Sequence, residues 1–336
     1  MVKAILLLSG GLDGTLAGKM LLEMGVEVTA VNFTSPFWDG APRSHGQSEA
    51  QVSAGQLGVD CRVIACGEDY LEVLKHPRFG RGSQMNACLD CRLFMFRQAK
   101  ALMEELGADF VATGEVLGER PMSQRRQAMD LIEREAGLQG RIVRPLSGQL
   151  LPATDAERRG LVRREQLAAI QGRGRQPQFD LAAKYGFKDY PQPAGGCLLT
   201  DPEFAARFRD LLEHEPACGL ADVVLLRYGR HFRFPSGAKV VCGRNAEENS
   251  LVEKSWREGD RLLVPIGGVG PSVLCRGADG DEDLQPAAGI LRAYAKTEPD
   301  VALRDPRNGT DNVLAIPQKQ ADRTEFARFR VGSAKA

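Results

Sequence analysis

The sequence lacks the long apolar run that a membrane span requires. None of its hydrophobic stretches approaches the ~20 consecutive apolar residues of a transmembrane helix, and a strand pattern begins at Lys3 with no cleavable leader before it. We therefore expect a cytoplasmic protein with no membrane partner. With 336 residues, of which 43% are hydrophobic, the chain can bury a large core and form two domains.

A net charge is also absent, because 44 lysines and arginines balance 44 aspartates and glutamates. The distribution is uneven, however: between Arg120 and Arg175 there is no lysine, and twelve arginines accompany six acids. Clustered arginine suits phosphate recognition, although a solvated helical face explains the pattern equally well. The RNA-binding candidates in this stretch are Arg125, Arg126, Arg158, Arg159, Arg163 and Arg164.

The cysteine pattern has little in common with a four-cysteine metal site. A single CxxC pair, Cys88 and Cys91, is present and no second pair follows, which disfavours a four-cysteine zinc site. A redox pair, another zinc site and incidental thiols stay open. Cys197 lies far along the chain, and the remaining cysteines are expected to pack in the core: Cys61, Cys66, Cys218, Cys242 and Cys275.

Apolar runs alternate with helical patterns over the first two hundred residues. This alternation predicts an α/β fold with a doubly wound parallel sheet, in which ligands bind at the carboxyl ends of the strands. After about Asp201 the pattern changes to short alternating strands with Gly-rich turns, which predicts a smaller β-rich α+β domain. We expect domains at 1–215 and 216–305, followed by a polar tail at 306–336.

The first strand runs into a Gly-rich turn, Ser9-Gly10-Gly11-Leu12-Asp13. Neither the P-loop nor the dinucleotide-binding pattern fits this turn, and a turn without a ligand remains an alternative. The turn resembles the SGGxDS pyrophosphate loop (PP-loop) of the N-type ATP pyrophosphatases, which have an adenine nucleotide alpha hydrolase-like fold. The resemblance implies that residues 9–15 bind ATP, that Asp13 holds Mg²⁺, and that a substrate is adenylated with release of pyrophosphate.

Gly14 departs from this pattern, which has serine at that position. The missing hydroxyl would cost about 1.5 to 3 kcal/mol if it donated to a charged phosphate. Thr15 offers a substitute hydroxyl one residue later. We therefore expect a weakened loop rather than an inactive one.

The segment from Cys88 to Gln124 resembles the 4-thiouridine synthases, which thiolate tRNA. The matching residues are Thr113, Gly114, Glu115, Leu117, Gly118, Ser123 and Gln124, whereas Glu119 and Met122 depart from the family pattern. The resemblance implies that Thr113, Gly114 and Glu115 contact ATP. It also implies that Asn32 and Phe33, after the second strand, contact the adenine.

The resemblance further implies how sulfur is delivered. Cys197 corresponds to the catalytic cysteine that carries a persulfide in one family mechanism. In another branch three cysteines, here Cys88, Cys91 and Cys197, hold a [4Fe-4S] cluster whose fourth iron stays open. Both mechanisms use the same residues, and both need a sulfur donor. The sequence does not decide between them, nor between a monomer and a homodimer.

The C-terminal segment from Leu225 to Asn249 resembles the RNA-binding domain of the NFACT proteins. Phosphate contacts are implied for Arg230, Arg233, Lys239 and Arg244. Without the resemblance, this segment is a small β-rich module with solvated basic residues.

The leading hypothesis is therefore an ATP-dependent tRNA sulfurtransferase. Two alternatives stay open: an RNA- or nucleotide-binding protein with a weakened PP-loop, and an enzyme that thiolates a small molecule.

Overall fold

A computed structural model describes residues 1–38, 47–188, 190, 196–278, 280–307, 309–313 and 322–332. The chain forms two compact units, Met1–Cys197 and Leu198–Ala336. The division at 197/198 lies before the predicted boundary at 215/216, and the three predicted domain limits stay predictions. No helix of the described residues is long and apolar enough to span a bilayer.

The first unit is an α/β structure with a five-stranded parallel sheet, as the sequence predicts. Its strands are β1 (Lys3–Leu7), β2 (Glu27–Thr34), β3 (Cys61–Ala65), β4 (Phe110–Thr113) and β5 (Ile142–Val143). Its helices are α1 (Leu12–Glu23), α2 (Glu49–Leu57), α3 (Glu68–Lys75), α4 (Cys88–Glu105), α5 (Arg126–Ala136), α6 (Asp155–Arg158) and α7 (Gln176–Tyr185).

The apolar run of β1 lies at the centre of this sheet, paired with β2 on one side and β4 on the other. Helix α1 is buried on two faces. Ala17 and Leu21 belong to the same hydrophobic core as the sheet residue Leu6, while Leu16 packs in a separate cluster with Ala182 of α7. The PP-loop, which connects β1 to α1, is therefore held between rigid elements.

The strand order β3-β2-β1-β4-β5 reverses direction between β1 and β4. In open parallel sheets such a reversal opens a crevice at the carboxyl ends of the strands, and this crevice is the usual ligand site. The turns after β1 and β4 carry the Ser9–Asp13 and Thr113–Glu115 motifs, so both motifs lie at this crevice.

The second unit contains a seven-stranded antiparallel sheet in the order β11-β10-β8-β9-β7-β6-β12. Its strands are β6 (Arg230–Arg233), β7 (Lys239–Cys242), β8 (Arg261–Ile266), β9 (Val273–Arg276), β10 (Asp300–Asp305), β11 (Thr310–Val313) and β12 (Arg330–Val331). Its helices are α8 (Pro202–His214), α9 (Leu220–Leu225), α10 (Ala246–Lys254) and α11 (Asp281–Tyr294). The predicted β-rich α+β class is confirmed.

Two segments that the sequence pattern assigned to strands are helical, namely α9 and α10. Asn245 explains the start of α10, because its side chain accepts a hydrogen bond from the backbone N–H of Glu248 at 2.9 Å. Both helices bury apolar residues in one cluster, with Leu225 and Val252 packed beside Leu262 of β8. Tertiary burial of these faces therefore overrides the local alternation.

The close packing of Gly114 against the PP-loop gives a stability prediction. An ideal Cβ at Gly114 would lie 2.6 Å from the carbonyl oxygen of Asp13, which is backbone and cannot swing away. We expect Gly114→Ala to lower the free energy of unfolding by about 1 to 3 kcal/mol, measured by urea unfolding of the full chain.

Gly55→Ala is the matched control, because nothing lies within 4 Å of the corresponding Cβ position in α2. This substitution should leave stability unchanged or raise it by roughly 0.5 to 1 kcal/mol. Equal effects of the two substitutions would contradict the packing argument.

Candidate active site

The PP-loop presents its backbone to the crevice. Gly10 has a φ of 90°, which favours glycine, and an ideal Cβ there would lie 2.6 Å from the backbone nitrogen of Ala50. Ser53 fixes the turn by donating a hydrogen bond to the Gly10 carbonyl at 3.1 Å. Gly11 caps α1 without a side-chain hydrogen bond, so the first N–H groups of this helix remain available to an anion.

Asp13 has the environment of a metal ligand. Its Oδ1 is buried and makes no hydrogen bond of ordinary geometry among the described residues, and its Oδ2 lies 3.6 Å from the Arg175 guanidinium. Burial raises the pKa of the carboxyl, while Arg175 and the neighbouring Gln178 side chain oppose the increase. A partly shielded carboxylate is a suitable ligand for Mg²⁺, which commonly takes one or two carboxylates in addition to phosphate oxygens.

Gly14 has a packing role that the sequence does not reveal. An ideal Cβ at this position would lie 3.0 Å from Cδ1 of Leu8, a side chain that is 1% exposed. A serine would therefore require Leu8 to move. We expected the hydroxyl of Thr15 to replace the missing serine hydroxyl at position 14. In this conformation it does not, because Thr15 is buried and donates its hydroxyl hydrogen to the Gly11 carbonyl at 3.1 Å.

The turn after β4 supports the PP-loop from the other side. Thr113 accepts a hydrogen bond from the Glu115 N–H at 2.9 Å, and the Glu115 carboxylate binds Arg92 at 2.5 Å and Arg144 at 2.9 Å. Burial alone would raise the pKa of Glu115, but the two guanidiniums lower it below its ordinary value. The buried carboxylate of Glu115 thus positions the turn, and a contact of this residue with ATP stays a prediction.

The two residues predicted to contact the adenine lie at the end of β2. Asn32 donates its side-chain N–H to the Leu8 carbonyl at 2.9 Å and so ties the end of β2 to the end of β1. Phe33 is 8% exposed. Adenine recognition by these two residues stays a prediction.

Cys88 and Cys91 lie in the first turn of α4, and each thiol has a polar neighbour. The Tyr70 hydroxyl donates to Cys91 Sγ at 3.0 Å, and the Asn86 amide donates to Cys88 Sγ at 3.3 Å. The same amide contacts the sulfur of Met122 at 3.5 Å. The CxxC pair is therefore adjacent to the segment that follows β4.

Cys197 reaches the same region through Trp38. The two residues form an antiparallel β-bridge, and the Trp38 ring lies 5.7 Å from the buried Tyr70 ring. Burial raises the pKa of Tyr70, and Cys91 and Cys197 both add to this increase. Tyr70 is thus the common neighbour of two cysteines that are distant in sequence.

Cys66, which the sequence assigns to packing, also lies near Cys91. Burial raises its pKa to about 12, and nearby Cys91 contributes. Burial likewise raises the pKa of Cys91 to about 11, although the Tyr70 hydrogen bond and the Arg92 and Arg120 charges oppose the increase. Cys91 is therefore protonated at neutral pH.

The described thiols do not form a site for a single metal ion. Over the described ranges, no group of three or more Cys, His, Asp and Glu side chains is close enough to hold one. The thiols of a [4Fe-4S] cluster each bind a different iron, so the assignment of Cys88, Cys91 and Cys197 to such a cluster stays a prediction.

Arg120 links the PP-loop to the thiols, and sequence reasoning missed it as a site residue. Burial raises the pKa of both Asp13 and Cys91, and the charge of Arg120 opposes the increase at both groups. Its backbone N–H donates to the Gln124 side chain at 3.0 Å, which holds the turn. The only sequence signal was its position at the start of the arginine-rich stretch.

Arg175 and Gln178 are two further residues that sequence reasoning missed. Gln178 is fully buried, and its side chain opposes the increase in the pKa of the neighbouring Asp13. The Nε of Arg175 is buried and unpaired in the described part of the chain. Both residues lie at the start of α7, which packs against α1. An unsatisfied guanidinium donor beside Asp13 is suited to binding phosphate oxygens.

Most of the RNA-binding candidates in the first unit are engaged in ion pairs. The pairs are Arg126–Asp130, Arg158–Asp155, Arg159–Asp109 and Arg164–Glu157. Arg125 and Arg163 are exposed, and neither has a carboxylate partner within the described ranges. RNA contacts by these six arginines stay predictions.

Two RNA-binding candidates in the second unit share one buried carboxylate. Lys239 is 2% exposed and lies 3.2 Å from Asp210, while Arg233 donates to both oxygens of the same carboxylate, at 3.0 and 2.8 Å. Removing both cations would leave the Asp210 charge unpaired. Both side chains therefore have a structural partner, and their contacts with RNA stay predictions.

Two parts of the chain match known families. Residues 1–150 match the family described as thiamine biosynthesis protein (ThiI), and residues 229–329 match the NFACT protein RNA binding domain. The chain is therefore similar to ThiI in its N-terminal region and to the NFACT RNA-binding domain in its C-terminal region.

Two curated relatives align with the ThiI-like region. A tRNA-specific 2-thiouridylase MnmA of Syntrophotalea carbinolica is 33% identical over 116 residues, which cover 32% of this chain and 32% of the relative. A probable tRNA sulfurtransferase of Moorella thermoacetica is 32% identical over 145 residues, covering 43% of this chain and 35% of the relative. The chain thus spans 32% to 35% of the length of these relatives.

One solved structure in the comparison is a 4-thiouridine synthetase–RNA complex with bound ATP. It is 29% identical, with a TM-score of 0.34, and the alignment covers 44% of this chain and 37% of that chain.

Arg175 provides a direct test of the ThiI-like site. If its guanidinium binds phosphate, Arg175→Met should weaken Mg²⁺–ATP binding by about ten- to hundredfold, the range expected for losing a hydrogen bond to a charged group. Isothermal titration calorimetry measures this dissociation constant.

Arg173→Met is the matched control, because Arg173 is exposed and only two residues away. It should bind ATP as the wild type does. Equal ATP affinities of the two variants would show that Arg175 does not bind the phosphates of ATP.

Proposed function

We propose that the protein is an ATP-dependent sulfurtransferase that adenylates a base carbonyl in RNA, with tRNA uridine as the substrate, and replaces its oxygen by sulfur. The observation that carries this proposal is the segment after β4, which contacts both parts of the site. Gly114 packs against the Asp13–Gly14 peptide of the PP-loop, and the Asn86 amide contacts both Met122 and Cys88 Sγ. The names of the curated relatives agree with this chemistry.

In the first step the carbonyl oxygen of the base attacks the α-phosphorus of ATP. The new O–P bond forms as the bond to the β-phosphate breaks, and pyrophosphate leaves. The chain contributes orientation and charge, through the backbone of residues 9–15 and the guanidinium of Arg175. Mg²⁺ held by Asp13 would neutralise part of the phosphate charge.

In the second step a persulfide on Cys197, loaded by a persulfide-bearing donor protein, attacks the activated carbon, and AMP leaves. Cys91 then attacks Sγ of Cys197 and breaks the S–S bond, so that the outer sulfur stays on the base. The resulting Cys91–Cys197 disulfide is reduced by an external dithiol. Arg120 and Tyr70 favour the thiolate form of Cys91.

The persulfide route is preferred here over the iron–sulfur route because it needs only two thiols, and Cys91 and Cys197 both neighbour Tyr70, Cys91 directly and Cys197 through Trp38. We propose that this reaction takes place in the cytoplasm, where tRNA and ATP are both available. The rival function is RNA binding with an inactive nucleotide site, and it is favoured by the packing of Gly14 against Leu8.

Thionucleoside analysis of tRNA tests the proposal. In a strain from which the gene is deleted, one thionucleoside should disappear, and the wild-type gene should restore it. Cys197→Ala should fail to restore it, because no other residue can carry the persulfide at that position. Liquid chromatography with mass spectrometry measures the nucleosides.

Cys61→Ala is the control, since Cys61 lies at the start of β3 and is assigned to packing. It should restore the thionucleoside fully. Thionucleosides that are unchanged by the deletion would contradict the proposed function, and ATP-independent RNA binding in the same strain would favour the rival.

A further inference from the structure

Four arginines meet at one edge of the second unit's sheet, where β12 pairs with β6 and α8 packs against β12. Arg207 lies on α8, Arg230 begins β6, Arg330 begins β12, and Arg244 follows β7. We refer to these four residues as the arginine edge. Two of them, Arg207 and Arg330, were not among the residues that the sequence singled out.

Two side chains of the arginine edge have buried donors that nothing satisfies. Arg207 is 4% exposed and donates to the Leu226 carbonyl at 3.0 Å and to Glu203 at 2.9 Å, but its Nε has no partner in the described part of the chain. The Nε of Arg330 is unpaired in the same sense. Buried charged donors are costly to leave unpaired, so an absent acceptor is indicated.

The arginine edge also carries more positive charge than its carboxylates neutralise. Glu203 pairs with Arg207, and Glu248 pairs with Arg244. Among the described residues, Arg230 and Arg330 have no carboxylate within salt-bridge distance. Burial lowers the pKa of both Arg207 and Arg330, and their cationic neighbours add to this effect.

The nearby His231 does not add charge to this region. It is fully buried, and its Nε2 lies 2.7 Å from the Tyr228 carbonyl. Burial lowers its pKa well below the ordinary value, and Lys239 and Arg207 contribute. The imidazole is therefore neutral, which leaves the guanidiniums as the cations that face an anion here.

Aromatic rings fix the two guanidiniums that lack carboxylates. The Cζ of Arg230 lies 4.3 Å from the centroid of Tyr294, and the Cζ of Arg330 lies 5.3 Å from that of Phe232. Stacking holds a guanidinium plane in one orientation while N–H groups at its edge can still donate. The Nη1 of Arg230 donates to the Gly243 carbonyl at 3.2 Å, which leaves its other N–H groups for an anion. Planar forks of this kind match the oxygen geometry of phosphate.

We propose that the arginine edge binds a backbone phosphate of RNA, with Arg230 and Arg330 donating to its oxygens and Arg244 at the rim, while the buried Arg207 supports them from α8. This inference rests on the proposed RNA substrate and identifies where the second unit holds it. It differs from the contacts predicted for Lys239 and Arg233, which are both engaged with Asp210.

Fluorescence anisotropy with a labelled tRNA transcript and the full chain tests this proposal. Arg230→Gln and Arg330→Gln should each weaken binding about tenfold or more, because each removes a charge-assisted hydrogen bond. The slope of log Kd against log salt should fall by about 0.7 to 0.9 for each lost contact. The loss should be the same for tRNAs of different sequence, because phosphate contacts carry no base information.

Arg261→Gln is the matched control. Arg261 is an exposed arginine at the start of β8, which is separated from β6 by β9 and β7, and its loss removes one positive charge from the same unit. Binding by this variant should stay within about twofold of the wild type, since a single distant charge is largely screened at physiological salt. Arg330→Lys keeps the charge without the planar fork and should give an intermediate affinity.

Binding by Arg230→Gln and Arg330→Gln that equals that of Arg261→Gln would overturn the proposal and would mean that water satisfies the buried donors. A wild-type chain without affinity for RNA would overturn it as well. If circular dichroism shows that Arg330→Gln is unfolded, Arg230→Gln decides the question. Intact RNA binding without tRNA thiolation would refute the proposed function but would not contradict RNA binding at the arginine edge.

Discussion

The contact between Gly114 and the Asp13–Gly14 peptide is the constraint on which the candidate site depends. It exists because β1 and β4 are neighbours and the chain reverses its winding direction between them, which brings the turns after both strands together. One turn supplies the backbone and the carboxylate of the PP-loop. The other leads into the segment of Arg120 and Met122, which lies beside the cysteines. A side chain at residue 114 would separate these two halves.

Much of the fold could be predicted from the sequence because its signals are local. The apolar run of β1 predicts a buried strand, and the Gly-rich turn follows it directly. The helical faces of α9 and α10 were missed because their apolar residues become meaningful only when they pack against β8. Similarly, the division at 197/198 depends on contacts of α8 that no local pattern records.

The site was predictable where a motif places residues in one turn, and it was not predictable where tertiary structure decides what a side chain meets. Glu115 matches the motif, yet two arginines from other elements neutralise it. Lys239 and Arg233 look like solvated bases in the sequence but share a buried carboxylate. Conversely, Arg120, Arg175 and Gln178 gain their roles from proximity to Asp13, which no spacing along the chain encodes.

The central claim is that the PP-loop binds the same ATP molecule whose α-phosphorus lies beside the thiols. A crystal structure of the chain with Mg²⁺ and a non-hydrolysable ATP analogue tests it most directly. The account predicts a triphosphate over residues 9–15, a metal ion on Asp13, and an α-phosphorus that faces Arg120, Cys91 and Cys197. A nucleotide bound elsewhere, or one whose α-phosphorus points away from these thiols, would contradict it.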